Sequence, residues 1–501
     1  MKSLFNHQNL LIFFVALLLA AGCKGPETVV VNQSPTEMTP ADTTVSATAS
    51  NQASFRKLAI GEFNPIKTLD PLYADNAAAM RAVQLVYEGL VRFNADGSIV
   101  PGLAKDWSVS QDSLQYTFHL RTNIYYQDSQ VFSTGTGRKM TSGDVKNDFE
   151  RMTHADVPPQ AAHMFMAIED FEPYYLEQHY VYNPQNRRLK DISGIQTPND
   201  STVVFQLVNH DPKFIKKLAT PYAVIYPREA VGNNLASFTP VGAGPFNFSQ
   251  LASDSTLIFS KFQNYYDASD INLNRIDIIT NTSESQLFRS MSEGNIYVLP
   301  QLGPQLFKSI LSSNGSLISS YANRYNLKRP AGSTQYVLRY NPQSHLTLSE
   351  ARKVASLIPS ATDTGSYFNK FPDAYVTMQS QSDSLQEKST ISLVNNEIYA
   401  AYSDDPFVRT FLGNLAKTLI KYKTTFQMMD IRTPTRNTGL FVTEDQPLIP
   451  NQQWDSYQPL FRFSVKQVAL QRSEIKGLEW NQYPWWFNPR GVTLPAEENL
   501  N

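Results

Sequence analysis

The chain has 501 residues, 42% of them hydrophobic and 18% charged, with 43 Lys and Arg against 45 Asp and Glu and a single cysteine. That balance excludes a small disulfide scaffold, a long disordered chain and a polybasic nucleic-acid binder. At roughly 100 to 200 residues per domain the length predicts about two to four structural units, and 29 Phe, 25 Tyr and 5 Trp supply rings for cores and for ligand clefts.

Lys2 precedes an apolar run over residues 10–21, too short to span a bilayer but long enough for the hydrophobic region of an export signal. The run ends in Leu19-Ala20-Ala21-Gly22-Cys23, small residues leading into the only cysteine. This resembles the lipobox of bacterial lipoproteins, with Ala20 where leucine is commoner. The resemblance implies a signal peptide over 1–22, a lipid on the Cys23 thiol and attachment to the membrane through that lipid. The Thr-, Ser-, Ala- and Pro-rich stretch over 23–54 then reads as a flexible tether.

Met80, Val83, Tyr87 and Leu90 recur at helical spacing after Asp75-Asn76, a capping pair. Leu114, Tyr116, Phe118 and Leu120 alternate as a strand with one buried face. Thr141-Ser142-Gly143-Asp144 reads as a capping box opening a second helix. Val203, Phe205 and Leu207 predict another strand, as do residues 275–280. Further on, residues 336–340 read as a strand, and Thr347-Leu348-Ser349-Glu350 caps a helix with Ala351, Val354, Ala355 and Ile358 on one face, stopped at Pro359. Residues 380–390 read as a polar surface loop. Asp405-Pro406 starts a helix carrying Val408, Phe411, Leu412, Leu415 and Leu419 on one stripe. The alternation predicts a mixed α/β (α+β) fold.

Eight ordered blocks carry a family resemblance. They are Leu69-Asp70-Pro71, Tyr87-Glu88-Gly89-Leu90, Asp96-Gly97 leading to Pro101-Gly102-Leu103-Ala104-Lys105-Asp106-Trp107, and Tyr116-Thr117-Phe118-His119-Leu120-Arg121. Thr141-Ser142-Gly143-Asp144-Val145, Gly242-Ala243-Gly244-Pro245-Phe246, Asn264-Tyr265-Tyr266 and Ser292-Glu293-Gly294-Asn295-Ile296 follow. In this order they resemble the extracellular solute-binding proteins of ABC importers, in the class that includes the oligopeptide-, dipeptide- and nickel-binding proteins.

The resemblance implies a two-lobed, hinged clamp of the periplasmic-binding-protein type: lobe I over 55–300, lobe II over 301–445, and a return over 446–495 that completes lobe I. It implies an exported, lipid-anchored monomer that binds a peptide or peptide-like solute and meets ABC permease subunits, with no cofactor, no metal and no nucleic acid. The alternatives are a binding or sensor lipoprotein for a sugar or metal chelate without transport, and a hydrolase. The seven histidines hold no pair at the HExxH spacing and no GxSxG elbow occurs, so the sequence marks no catalytic site.

Glu62 and Asn64, beside the Leu69-Asp70-Pro71 element, are candidate ligand contacts. So are Tyr265 and Tyr266, and the aromatics Trp454, Tyr457, Trp485 and Trp486 where the chain returns, each with core packing as its other reading. Arg339 reads either as a partner for a ligand carboxylate or as a solvated edge charge. The amine-binding aspartate motif of the peptide-binding relatives is not found; Asp404-Asp405-Pro406 reads as a helix cap.

Overall fold

In the strand Lys57–Gly61, Leu58 and Ile60 alternate with the small residues Ala59 and Gly61, so it can be covered on both faces. A computed structural model describes this strand within residues 56–232, 237–253, 255–358, 376–380, 397–402, 405–431, 434–445, 448 and 456–494. All of these belong to one unit, Ser54–Asn501. The expected signal peptide, Cys23, the tether, Pro359, residues 381–390, Asp404 and Trp454 lie outside the described residues.

The strand is central in a seven-stranded sheet. The order is Phe246–Ser253, Thr256–Lys261, Arg275–Ile279, Lys57–Gly61, Val298–Leu299, Ala469–Arg472, Tyr325–Lys328. It runs parallel to Arg275–Ile279 and Val298–Leu299. Leu58, Ile60, Ile276, Ile278 and Val298 face a first hydrophobic core. Leu299, Leu470 and Tyr325 belong to a second. Gly61 makes the double covering possible, because a Cβ there would lie 2.7 Å from the Leu299 side chain. The sheet is thus a wall between the cores, and neighbouring Val298 and Leu299 point to its opposite sides.

The first core is built around helix α1, Ala77–Val86, whose first turn is held by the Asn76 side chain accepting from the Ala79 N–H at 3.0 Å. All its residues but Gln84 are buried. The predicted helical stripe reaches Leu90, but the helix ends at Val86 because Glu88–Gly89 extends to pair with Val224–Ile225. Helix α2, Ser142–Arg151, opens as predicted, with the Asp144 carboxylate accepting from the Thr141 N–H at 2.9 Å. Its Phe149 packs 5.1 Å from Phe205, on a four-stranded antiparallel sheet that contains the predicted strands Gln115–Leu120 and Thr202–Gln206.

On the second core's side lie helices α3, Glu284–Ser292, which precedes the strand Val298–Leu299, and α4, Pro304–Ile310, then α5, Leu348–Ser356, and α6, Pro406–Ile420. Thr347 and Glu350 form the predicted capping box of α5. The predicted stripe of α6, Val408, Phe411, Leu412, Leu415 and Leu419, is fully buried, each side chain contributing about 1.5–3 kcal/mol of apolar burial. These helices belong to the second core with a six-stranded sheet ordered Val376–Ser380, Gln458–Lys466, Ser333–Tyr340, Thr438–Asp445, Glu397–Tyr402, Thr425–Asp430.

The sequence puts the return to the first lobe at 446. In the structure Gln458–Lys466 instead lies between Ser333–Tyr340 and Val376–Ser380 in the six-stranded sheet. Its alternating Phe461, Phe463 and Val465 are part of the second core. The chain rejoins the wall sheet at Ala469–Arg472, and Ile475, Leu478 and Trp485 pack in the first core.

Candidate functional site

The two cores meet where the strand Lys57–Gly61 runs out into Glu62-Phe63-Asn64. The Glu62 N–H donates to the Ile279 carbonyl at 2.8 Å and the Thr280 hydroxyl donates to the Asn64 carbonyl at 2.9 Å, fixing this exit against the neighbouring strand. Across the joint stands Asp405, the N-cap of α6, whose carboxylate accepts from the Phe407 and Val408 N–H groups at 2.8 and 3.1 Å. The Tyr336 hydroxyl and the Asn64 side chain stand near this carboxylate and favour its charged form. Burial pushes the Asp405 carboxyl up, and these donors pull it back. The Asn64 Oδ1 atom is buried and has no partner.

Of the predicted contacts, Asn64 therefore touches both cores. Glu62 is 2% exposed and bound by Arg81 of α1 through two hydrogen bonds of 2.7 Å. The same guanidinium donates to the Pro484 carbonyl, and the Gln84 side chain donates to that of Trp485 at 2.8 Å. Glu62 and Trp485 are thereby brought to one helix, where Trp485 is fully buried and stacks on Tyr483 at 5.1 Å.

Tyr265 and Tyr266 form a separate group. Both hydroxyls donate to the buried Glu88 carboxylate, which also pairs with Arg490 at 3.2 Å. Burial first, and then the Glu88 charge, raise both tyrosines. Beside this network is a cavity of about 470 Å³, lined in part by Phe93, Trp486, Glu88, Arg92 and Arg490. The joint lies at the other end of α1, where the Asn76 side chain donates to the Pro65 carbonyl at 3.0 Å. Ten residues of helix, about 15 Å, separate the two places.

Arg339 sits on the six-stranded sheet, 7% exposed, donating to the Thr443 hydroxyl and to Asp445 at 3.0 Å each. Asp445 is shared with Arg462 at 3.0 Å. Strand alternation puts Arg339 on the face opposite Tyr336 and Leu338, and Tyr457 meets Phe441, the cross-strand partner of Arg339, edge-on at 5.0 Å.

Sequence reasoning misses Arg81, Tyr336 and Glu284 as residues of this region. Arg81 is the one charge in the run Ala77–Leu85, which is apolar but for Gln84, a local signal that such a group has a buried partner. Ser283 and Gln286 form a capping box that identifies Glu284 as the first residue of α3, but not what it reaches.

A mixed α/β chain with two cores on either side of a crossing sheet, and polar side chains bridging them, has the architecture of the two-lobed periplasmic-binding-protein class. Residues 98–353, more than half of the chain, match the model of the bacterial extracellular solute-binding proteins, family 5. The chain belongs to that family. It is 26% identical over 282 residues to di/tripeptide-binding protein 1 of Pseudomonas aeruginosa UCBPP-PA14, covering 55% of this chain and 49% of that protein. It is 29% identical over 189 residues to the dipeptide-binding protein of Escherichia coli K12, covering 36% of this chain and 32% of that one. These matches span about half or less of the relatives' length. In fold it is similar to the murein tripeptide binding protein MppA of Escherichia coli, with a TM-score of 0.69 at 15% identity over 88% of this chain and 99% of that one. Among the described residues no helix is long and apolar enough to cross a membrane.

Proposed function

We propose that the protein is a lipid-anchored solute-binding protein, held at the membrane through Cys23, that captures a peptide or peptide-like solute between its two lobes and delivers it to the permease of an ABC importer. It works as a monomer, by closure and release, without making or breaking a bond. Family membership supports the class, and relatives named for di- and tripeptide binding support the solute. The observation that carries the reading in this chain is Asn64. Its Oδ1 is buried at the joint without a partner while the side chain neighbours Asp405, and a backbone N–H of a bound peptide supplies the donor such an acceptor lacks.

Native mass spectrometry of gently purified protein identifies what it carries. A panel of di- and tripeptides should then raise its melting temperature, since a ligand at a hundred times its Kd adds about 2.7 kcal/mol to stability. Asn64→Leu should weaken the shift. If no peptide raises the melting temperature and none is released on denaturation, the peptide reading fails.

A further inference from the structure

The outer face of α6 carries charge of one sign. The helix and the turn after it, residues 406–424, contain Arg409, Lys417, Lys421 and Lys423 and no Asp or Glu. Its apolar stripe is turned into the second core, so helical periodicity puts Arg409, Gly413, Lys417 and Ile420 together on the side away from it. α4 is the other wall of this surface. The Glu284 carboxylate accepts from the Gln305 and Leu306 N–H groups at 3.2 Å each and fixes the first turn of α4. One turn on, Lys308 lines an outer groove of about 310 Å³ with Arg409 and Lys417, and no carboxylate is among the described residues that line it.

Apolar side chains stand among these cations. Ile420, the last residue of α6, is 69% exposed, and Tyr422, between Lys421 and Lys423, is 38% exposed. Lys308, Lys417 and Lys421 are exposed and have no ion pair among the described residues. The carboxylate nearest by strand pairing, Glu397, lies across from Thr425 and accepts from the Tyr399 hydroxyl at 2.9 Å. A merely solvated face accounts for the lysines but not for an isoleucine and a tyrosine set between them. Protein-binding surfaces are enriched in arginine and depleted in lysine, whereas this face has four lysines and one arginine. Lysine ammonium groups around an aliphatic side chain and a tyrosine ring are instead the composition of a surface that lies on anionic lipid. There the ammonium groups meet phosphates and the apolar tips enter the headgroup boundary.

We propose that this end of α6, with Lys308 of α4 beside it, is a membrane-contact face: it rests the second lobe on a phospholipid surface of net negative charge, with Ile420 and Tyr422 entering the interface. The lipid proposed on Cys23 would hold the chain near such a surface, and this contact would orient the body on it.

The test puts an environment-sensitive fluorophore at position 420, through Ile420→Cys in the full chain with Cys23→Ser, which leaves one thiol to label. Phosphatidylcholine vesicles containing about 30% phosphatidylglycerol should move the label into an apolar environment, and pure phosphatidylcholine vesicles should not. Raising the salt to about 1 M, where charges are screened within about 3 Å, should abolish the response. Lys308→Gln/Lys417→Gln/Lys421→Gln in the labelled chain should raise the lipid concentration required by about 100-fold, since each cation at such a surface contributes about fivefold. These lysines are exposed, so the variant keeps the fold, which an unchanged melting temperature checks. A label that stays in water on the anionic vesicles overturns the proposal, as does an equal response on neutral vesicles or in the triple variant. Shielding by polyglutamate but not by vesicles also overturns it and assigns the face to an acidic protein partner. With Cys23 replaced and no solute added, the outcome is independent of lipidation and of peptide binding.

Discussion

The pair Glu62–Arg81 decides between two roles for a residue that sequence alone points toward the ligand. Both side chains are almost wholly buried, 3% and 2% exposed, and joined by two bonds of 2.7 Å. Arg81→Met keeps the volume on α1 but strands the Glu62 carboxylate, and removing one partner of a buried ion pair costs about 3–5 kcal/mol. Losing the bond to the Pro484 carbonyl adds little, because the Gln467 side chain still donates to it at 3.2 Å. Replacing both partners, in Glu62→Leu/Arg81→Met, should recover much of the loss, since no charge is then left unpaired. Urea unfolding of the two single variants and the double variant measures the coupling. The structural role is refuted if Arg81→Met costs less than about 1 kcal/mol, or if Glu62→Leu abolishes solute binding while leaving unfolding unchanged.

Phe411→Ala removes a fully buried ring stacked 4.6 Å from Phe463 and 5.9 Å from Phe461; a loss of about 3–5 kcal/mol, read by thermal melting, is expected. Gly303→Ala puts a methyl group against the Glu284 carboxylate, so exchange at Gln305 and Leu306 should accelerate while the first core keeps its protection. Asp148 is fully buried, accepts from the Tyr226 N–H at 2.9 Å and is pushed well up by burial. Its folded value is above the unfolded one, so its contribution is present at low pH and is lost as pH rises. Asp148→Asn should therefore flatten the decline of the melting temperature as pH rises from about 4.

What could be read from the sequence is what is local. The Asn76, Thr347–Glu350 and Asp405-Pro406 caps satisfy helix N–H groups two or three residues away, so their spacing is itself the signal. The stripe of α6 was legible for the same reason. The place of Gln458–Lys466 was not, because its alternation suits either sheet and only pairing with a strand more than a hundred residues earlier selects one. Glu88 and Arg490 are 402 positions apart and Glu62 and Arg81 are 19 apart. Nothing in either segment names the other, so Glu62 beside Leu69-Asp70-Pro71, Tyr265 and Tyr266 in Asn264-Tyr265-Tyr266 and the lone charge Arg339 read as candidate ligand contacts from local position and residue type.

The pairings bear on how a solute is recognised. Glu62 is held by Arg81, Arg339 by Asp445, Asp405 by the α6 N–H groups and Glu284 by those of α4. A solute that recruited Glu62 would leave Arg81 buried and unpaired, a penalty of about 3–5 kcal/mol, whereas Asp445 would keep Arg462 if Arg339 turned to a ligand. A single charge-assisted bond, about 1.5–3 kcal/mol, does not offset the penalty at Glu62. Asn64 differs, since its free Oδ1 gains a hydrogen bond without breaking one. If the proposed peptide binding takes place at this joint, its energetics favour neutral recognition of amide groups over capture of charged ends. That agrees with Asp405 serving as a helix cap rather than as an amine anchor.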